Sequence, residues 1–404
     1  MEVLVHNDAF ELRSQMIPET TSSRRYDLDW LRVFAILAVF AFHSGRFFDL
    51  MPWHVKSTSV YSGVEAWNRF MLSWLMPLIF VISGASLFHA VGRGSVAKFI
   101  RDKISRLLVP FLVGVFTHIA FCVYLERTSH NQFVGSFIAF YPHYFDGMYG
   151  FGGNFAWMGL HLWYLQMLFI FTLLCFPLFR LLKDTARGFL SRLGDSLAMP
   201  GVILLLILPV ALLLYVLDPR SFLGVRNWGG WPFPAYLFYL FYGFIFFSHA
   251  GVQAHIRQAR TLYLVAALVI SALLYWQFGY MGPKNGTQAS WWFGLLFTTS
   301  SWCLILAFLG FAINYLNYDR PFLKYANDAV LPFYIIHQTV LLIAGFFILP
   351  WEIPDTVKWV LIAISSFILS LGLYEFAVRR FNILRIIFGM KVLSNSRKLK
   401  ASEQ

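Results

Sequence analysis

DLDWLRVFAILAVFAFHSG, running from Asp27 to Gly45, is apolar for long enough to cross a bilayer, yet it holds an arginine and a histidine. A hydrocarbon core about 30 Å thick asks for about 20 predominantly apolar residues in one helix. Arg32 and His43 lie eleven residues apart. That spacing is about 1100° of helical rotation, three turns plus roughly 20°, with a rise of about 16 Å. Both side chains therefore leave the same face at two different depths. Ionisable groups inside a membrane are costly and mark function by default. One reading gives that face an anion-binding guanidinium and a titratable imidazole. The other lets Arg32 snorkel to headgroups and His43 bond a neighbouring helix.

The rest of the chain repeats the pattern. Of 404 residues, 58% are hydrophobic and 13% are charged, against roughly 25% charged in soluble domains. Such a chain cannot cover a water-facing surface, which excludes a soluble enzyme, a secreted disulfide scaffold and a disordered polypeptide. Apolar runs lie near 29–48, 67–90, 107–124, 158–179, 198–217, 233–249, 261–278, 290–313, 329–349 and 359–378. The expectation is an all-α polytopic membrane bundle of about ten transmembrane helices. The segment 140–157, rich in Gly and aromatics, is a loop, a re-entrant piece or an interfacial piece.

The formal net charge of +12 is scattered between apolar runs, which argues against nucleic acid as a partner. With the N-terminus inside, the inner segments hold 24 of the 32 Lys and Arg residues and the outer ones hold 8. The positive-inside bias thus predicts cytoplasmic termini and an even number of spans in the cytoplasmic (inner) membrane. Residues 1–26 read as a flexible cytoplasmic tail, 27–391 as one membrane domain, and 392–404 as a basic tail near anionic headgroups. The first span reads as a retained signal anchor. The outer stretch 125–157 is the longest and the one able to shape an extracytoplasmic cleft.

Other polar residues fall into the same runs. In MPLIFVISGASLF, Ser83 and Gly84 allow a helix or an extended ligand to approach the backbone closely. The basic group Arg93, Lys98, Arg101, Lys103 and Arg106 suits donor phosphates or plain positive-inside charge. His161 opens the fourth span, and His337 lies near the middle of the ninth. Either is a satisfied packing histidine or a functional one. Glu375 near the end of the last span is expected to pair with Arg379 one turn later. Cys122, Cys175 and Cys303 form no CxxC pattern and read as packing residues. GxSxG, Walker and HExxH signatures are missing, so no permanently bound cofactor or metal is expected.

Taken in order, LDWLR…FHS (28–44), MPLIFVISG (76–84), SRLLVPF (105–111), HLWYL (161–165) and FYIIHQ (333–338) resemble the membrane-bound acyltransferase 3 family. Within it, WHVKS from Trp53, FYLFYGFIFF from Phe238 and the stretch from Tyr374 resemble the type that succinylates osmoregulated periplasmic glucan. The resemblance spans roughly 27–391. It implies acyl transfer from cytoplasmic acyl-CoA, a co-substrate, to hydroxyls of an extracytoplasmic glycan, with glycan-synthesis machinery as a further partner. The family's Arg-x10-His motif falls on Arg32 and His43, and its His is regarded as catalytic. Its Arg-x-x-Arg donor motif falls on Lys103 and Arg106. Lys103 departs from that motif, keeping charge but not the bidentate fork.

On this resemblance Arg32, Lys103 and Arg106 meet CoA phosphates, the pantetheine arm passes Ser83 and Gly84, and His43 acts as general base or acyl carrier. His161 orients His43 or binds glycan, and His337 lines the donor tunnel. Trp53, Trp157 and Trp163 offer faces to a sugar or belong to the interfacial belt. Arg46 or Arg69 would suit a succinyl carboxylate, whereas acetyl needs neither. Two other classes stand beside the enzyme: a glycan or lipid transporter without covalent chemistry, and a subunit of an envelope-glycan assembly that has lost its site. Release of free CoA separates the enzyme from both.

Overall fold

The computed structural model describes residues 24–226, 228–278 and 290–393. The tail expected over 1–26 lies outside the described residues as far as position 23, and the basic tail does so from 394. In chain order the long helices are α1 (Tyr26–Gly45), α2 (Ser62–Ala90), α3 (Val96–Ser129), α4 (Leu160–Asp184), α5 (Arg187–Ala198) and α6 (Val202–Val216). They continue with α7 (Phe233–Ser248), α8 (Ala250–Gln277), α9 (Trp291–Tyr315), α10 (Pro321–Ile348) and α11 (Asp355–Val378). Among the described residues the β structure amounts to an isolated bridge between Met148 and Phe155. The protein is a polytopic helical membrane bundle.

All ten apolar runs are helical, but not all are straight spans. Among the described residues, eight helices are long and apolar enough to cross a membrane. The fifth run instead lies on α6, which is long enough to span only together with α5, and the two meet at a bend of 110°. The break falls at Pro200–Gly201, where proline withdraws an N–H and Gly201 takes φ +80°. The sixth, α7, has 16 residues, a length of only about 24 Å. The third is longer than expected: Lys98, Arg101, Lys103 and Arg106 form the opening turns of α3 itself. The chain there widens into a π-turn over Ile104–Leu108. Such turns break the regular ladder and often sit at functional sites.

α2 runs through the centre, with Leu75 and Leu78 through Ile82 buried. Its tightest crossing is with α7. A Cβ on Gly84 would strike the Leu240 carbonyl, and one on Gly243 would strike that of Val81. Reciprocal glycines let the two backbones touch, the usual device where lipid removes the hydrophobic incentive to pack. Between α3 and α4 the chain folds into a short helix at Phe137–Phe140, a 3-10 turn at Tyr141–Phe145 and the isolated bridge. Glu375 bonds Arg379 at 2.7 Å, and the three cysteines are buried and free.

Candidate active site

α1 and α10 pack side by side and bring His43 against His337, Nδ1 to Nε2, at 2.9 Å. The other nitrogen of His337, Nδ1, lies 2.7 Å from the Tyr334 carbonyl one turn back. A carbonyl oxygen only accepts, so His337 Nδ1 carries the proton and donates it. A neutral His337 then offers Nε2 as an acceptor, and His43 must donate from Nδ1. This leaves His43 Nε2 as a bare lone pair, with no hydrogen-bond partner among the described residues. The ring is only partly buried. The chemistry available at Nε2 is that of a base.

Two more imidazoles join from α4 and α3. His161 stands 5.3 Å from His337 and 6.4 Å from His43, centroid to centroid, edge-on to both. Its Nε2 donates to the Ile335 carbonyl at 3.0 Å, and its buried Nδ1 has no partner. The Tyr334 hydroxyl donates to the His161 carbonyl. Entry to this position is strained: Leu160, a branched residue, takes φ +48° after Gly159 at +72°. His118 follows at 6.1 Å from His161 and bonds Thr339 Oγ1 at 2.9 Å. Among the described residues, no group of three or more His, Cys, Asp or Glu could hold a metal ion.

Trp53 covers the open side of His43, nearly parallel at 5° and 6.3 Å between centroids. The loop that carries it is pinned by buried charge. Asp49 is fully buried and accepts from Arg46, Lys56 and Asn68. Arg69 bonds Glu65, which also accepts from the Leu50 N–H at 3.0 Å. Both outer arginines are thus paired with carboxylates of the chain itself. Next along the loop, His54 Nδ1 meets Glu126 Oε2, and the Tyr149 hydroxyl donates to the same oxygen at 2.7 Å. Burial and the Glu126 carboxylate raise the Tyr149 phenol above its ordinary value, so it stays a donor.

At the other end of α1, Arg32 bonds Asp29 and Asn327 at 3.1 Å and Ser86 at 2.9 Å, tying α1 to α10 and α2. Lys103 lies within electrostatic reach of Arg106 and Arg32, its ammonium 5.2 Å over the Phe99 ring. Three cations from two helices therefore gather at this end. Ser83 lies between the two ends, accepting from the Tyr164 hydroxyl at 2.7 Å. Gly84 faces α7, and Trp163 is buried against Tyr236, 5.1 Å between centroids. Neither joins the histidine cluster. Sequence reasoning gave no role to Asn327, Ser86, Glu126 or His118. A polar residue flanking an apolar run was the signal for Asn327 and Glu126, and one inside a run was the signal for Ser86.

Three proteins named "Glucans biosynthesis protein C" are similar to this chain. One from Shigella dysenteriae serotype 1 is 22% identical over 382 residues, 92% of this chain and 95% of that protein. The others, from Escherichia coli O6:K15:H31 and O139:H28, are 22% and 23% identical with the same coverage. No solved structure matches the chain. The sequence model of the acyltransferase domain, Acyl_transf_3, matches residues 25–375, and the chain accordingly belongs to the acyltransferase 3 family.

Proposed function

We propose that this transferase moves an acyl group from acyl-CoA to a hydroxyl of an extracytoplasmic glycan, with glucan the favoured acceptor, across the cytoplasmic membrane. The observation that carries the reading is the wiring of His43, whose Nδ1 is committed to His337 and whose Nε2 is free. As the acceptor oxygen attacks the thioester carbon, Nε2 takes its proton. The C–O bond forms and the C–S bond breaks. The departing thiolate then recovers the proton from the imidazolium, releasing CoA and restoring His43. His161 Nδ1, unpartnered in the same cluster, can accept a hydrogen bond from a second hydroxyl of the acceptor sugar, the attacking hydroxyl giving its single proton to His43.

Arg32, Lys103 and Arg106 would bind the CoA phosphates at the opposite end of α1. About 16 Å along α1 separates Arg32 from His43, the reach asked of the pantetheine arm. The names of the similar proteins favour glucan as the acceptor. The pairing of Arg46 and Arg69 with the chain's own carboxylates favours acetyl over succinyl, because neither arginine is left for a second carboxylate.

The test is mass spectrometry of periplasmic and envelope glycans from cells with the wild type, with His43→Ala, and without the protein. The expected result is one acyl increment that only the wild type produces; its mass names the acyl group. An increment retained by His43→Ala would overturn the role of His43. Unchanged acylation with relocated glycan would replace the enzyme by a transporter.

A further inference from the structure

A cavity of about 480 Å³ opens in the segment between α3 and α4. It is within the range of ordinary ligand sites, roughly 300–1,000 Å³. The rings of Phe133 and Phe140, perpendicular at 5.1 Å between centroids, form its apolar side. Gln132, Asn154 and the pair His143–Asp146 form its polar side. The cavity is held open by its own bonds. Arg127 donates to Asn154 and Gln132 at 2.8 Å and to the Gly153 carbonyl at 3.0 Å. The Asn154 amide in turn donates to the His143 carbonyl at 2.9 Å.

Its electrostatics narrow the occupant. Arg127 spends its donors on these partners and lies 3.4 Å from Glu126, while His143 faces Asp146 at 3.0 Å. No cation is left over for a phosphate or carboxylate, and the polar rim does not suit an acyl chain. Ring faces beside an amide, an imidazole and a carboxylate suit a neutral polyol: C–H faces against phenyl, hydroxyls against the rim. The cavity is also joined to His43 by successive contacts, Arg127 to Glu126, Glu126 to His54, His54 to Trp53, and Trp53 to His43.

We infer that this cavity is a saccharide subsite, holding a sugar unit of the acceptor remote from the unit that receives the acyl group. This rests on the proposed glycan acceptor and specifies it as oligomeric. Three side chains stand between cavity and His43, so one monosaccharide cannot occupy both places.

The test is calorimetric titration of the purified full-length protein in detergent with glucose and with a linear gluco-oligosaccharide longer than a disaccharide. The wild type should bind the oligosaccharide more tightly than glucose. Phe133→Ala and Gln132→Ala should each weaken oligosaccharide binding by about tenfold. Val134→Ser, next to Phe133 but 92% exposed, should bind like the wild type. Thermal unfolding in the same detergent checks that each variant is folded. Oligosaccharide binding that is absent from the wild type, or equal in the wild type and both cavity variants, overturns the subsite. Failure of acyl transfer with binding intact would sink the transferase reading and leave the subsite standing.

Discussion

His337 sets the proton arrangement of His43 without any charge. Its acceptor nitrogen faces the His43 Nδ1–H, and the Tyr334 carbonyl holds its own tautomer. Removing the ring frees His43 to rotate and to place its proton on either nitrogen, so only part of the population keeps Nε2 bare. His337→Ala is expected to lower kcat by about a hundredfold, near the lower end of general-base contributions, with little change in KM for acyl-CoA. His337→Gln should recover part of the loss, because its amide oxygen can accept from His43 Nδ1. Steady-state kinetics by CoA release checks both variants, and equal loss in Ala and Gln would mean that His337 merely fills space. His43 and Arg32 were legible from one helix because eleven residues return to the same face. The His43–His337 bond was not, because its partners lie 294 positions apart and no local periodicity links them.

At the level of helices, the crossing of α2 and α7 has the least tolerance. Gly84→Val would drive a branched side chain into the Leu240 carbonyl, and no rotamer change on α7 can move a backbone atom aside. The expected outcome is a protein that fails to accumulate or unfolds well below the wild type in detergent, since overpacking of this kind costs about 1–3 kcal/mol or more. Fluorescence-detected size exclusion and thermal unfolding measure it. A normal melting temperature in Gly84→Val would show that the two helices are not in backbone contact. Ser83-Gly84 was readable as a close approach, but a pair of small residues does not say whether a helix or a ligand arrives. The run at 198–217 shows a related limit. Hydropathy counts apolar residues and carries no direction, so the 110° bend between α5 and α6 was hidden although Pro200 and Gly201 stood in view.

For the whole molecule, the proposal depends on Arg32 and His43 being approached from opposite sides of one membrane. α1 carries them as its seventh and eighteenth residues, and the distribution of Lys and Arg predicts that the Arg32 end faces the cytosol. Two exposed positions report on the two ends. Ala97 lies in the first turn of α3, in the basic stretch leading to Lys103, and Val134 lies in the segment bearing the saccharide cavity. All three native cysteines are buried, which keeps background labelling low. A membrane-impermeant maleimide added to intact cells, with the outer membrane made leaky, should label Val134→Cys at once and Ala97→Cys only after the inner membrane is opened. The reverse pattern would put the phosphate-binding cations outside, where acyl-CoA is not made, and the two-sided reaction would fall. Labelling of both positions in intact cells would mean that Arg32 and His43 face one compartment. The about 16 Å between them would then no longer be the path by which an acyl group crosses the membrane.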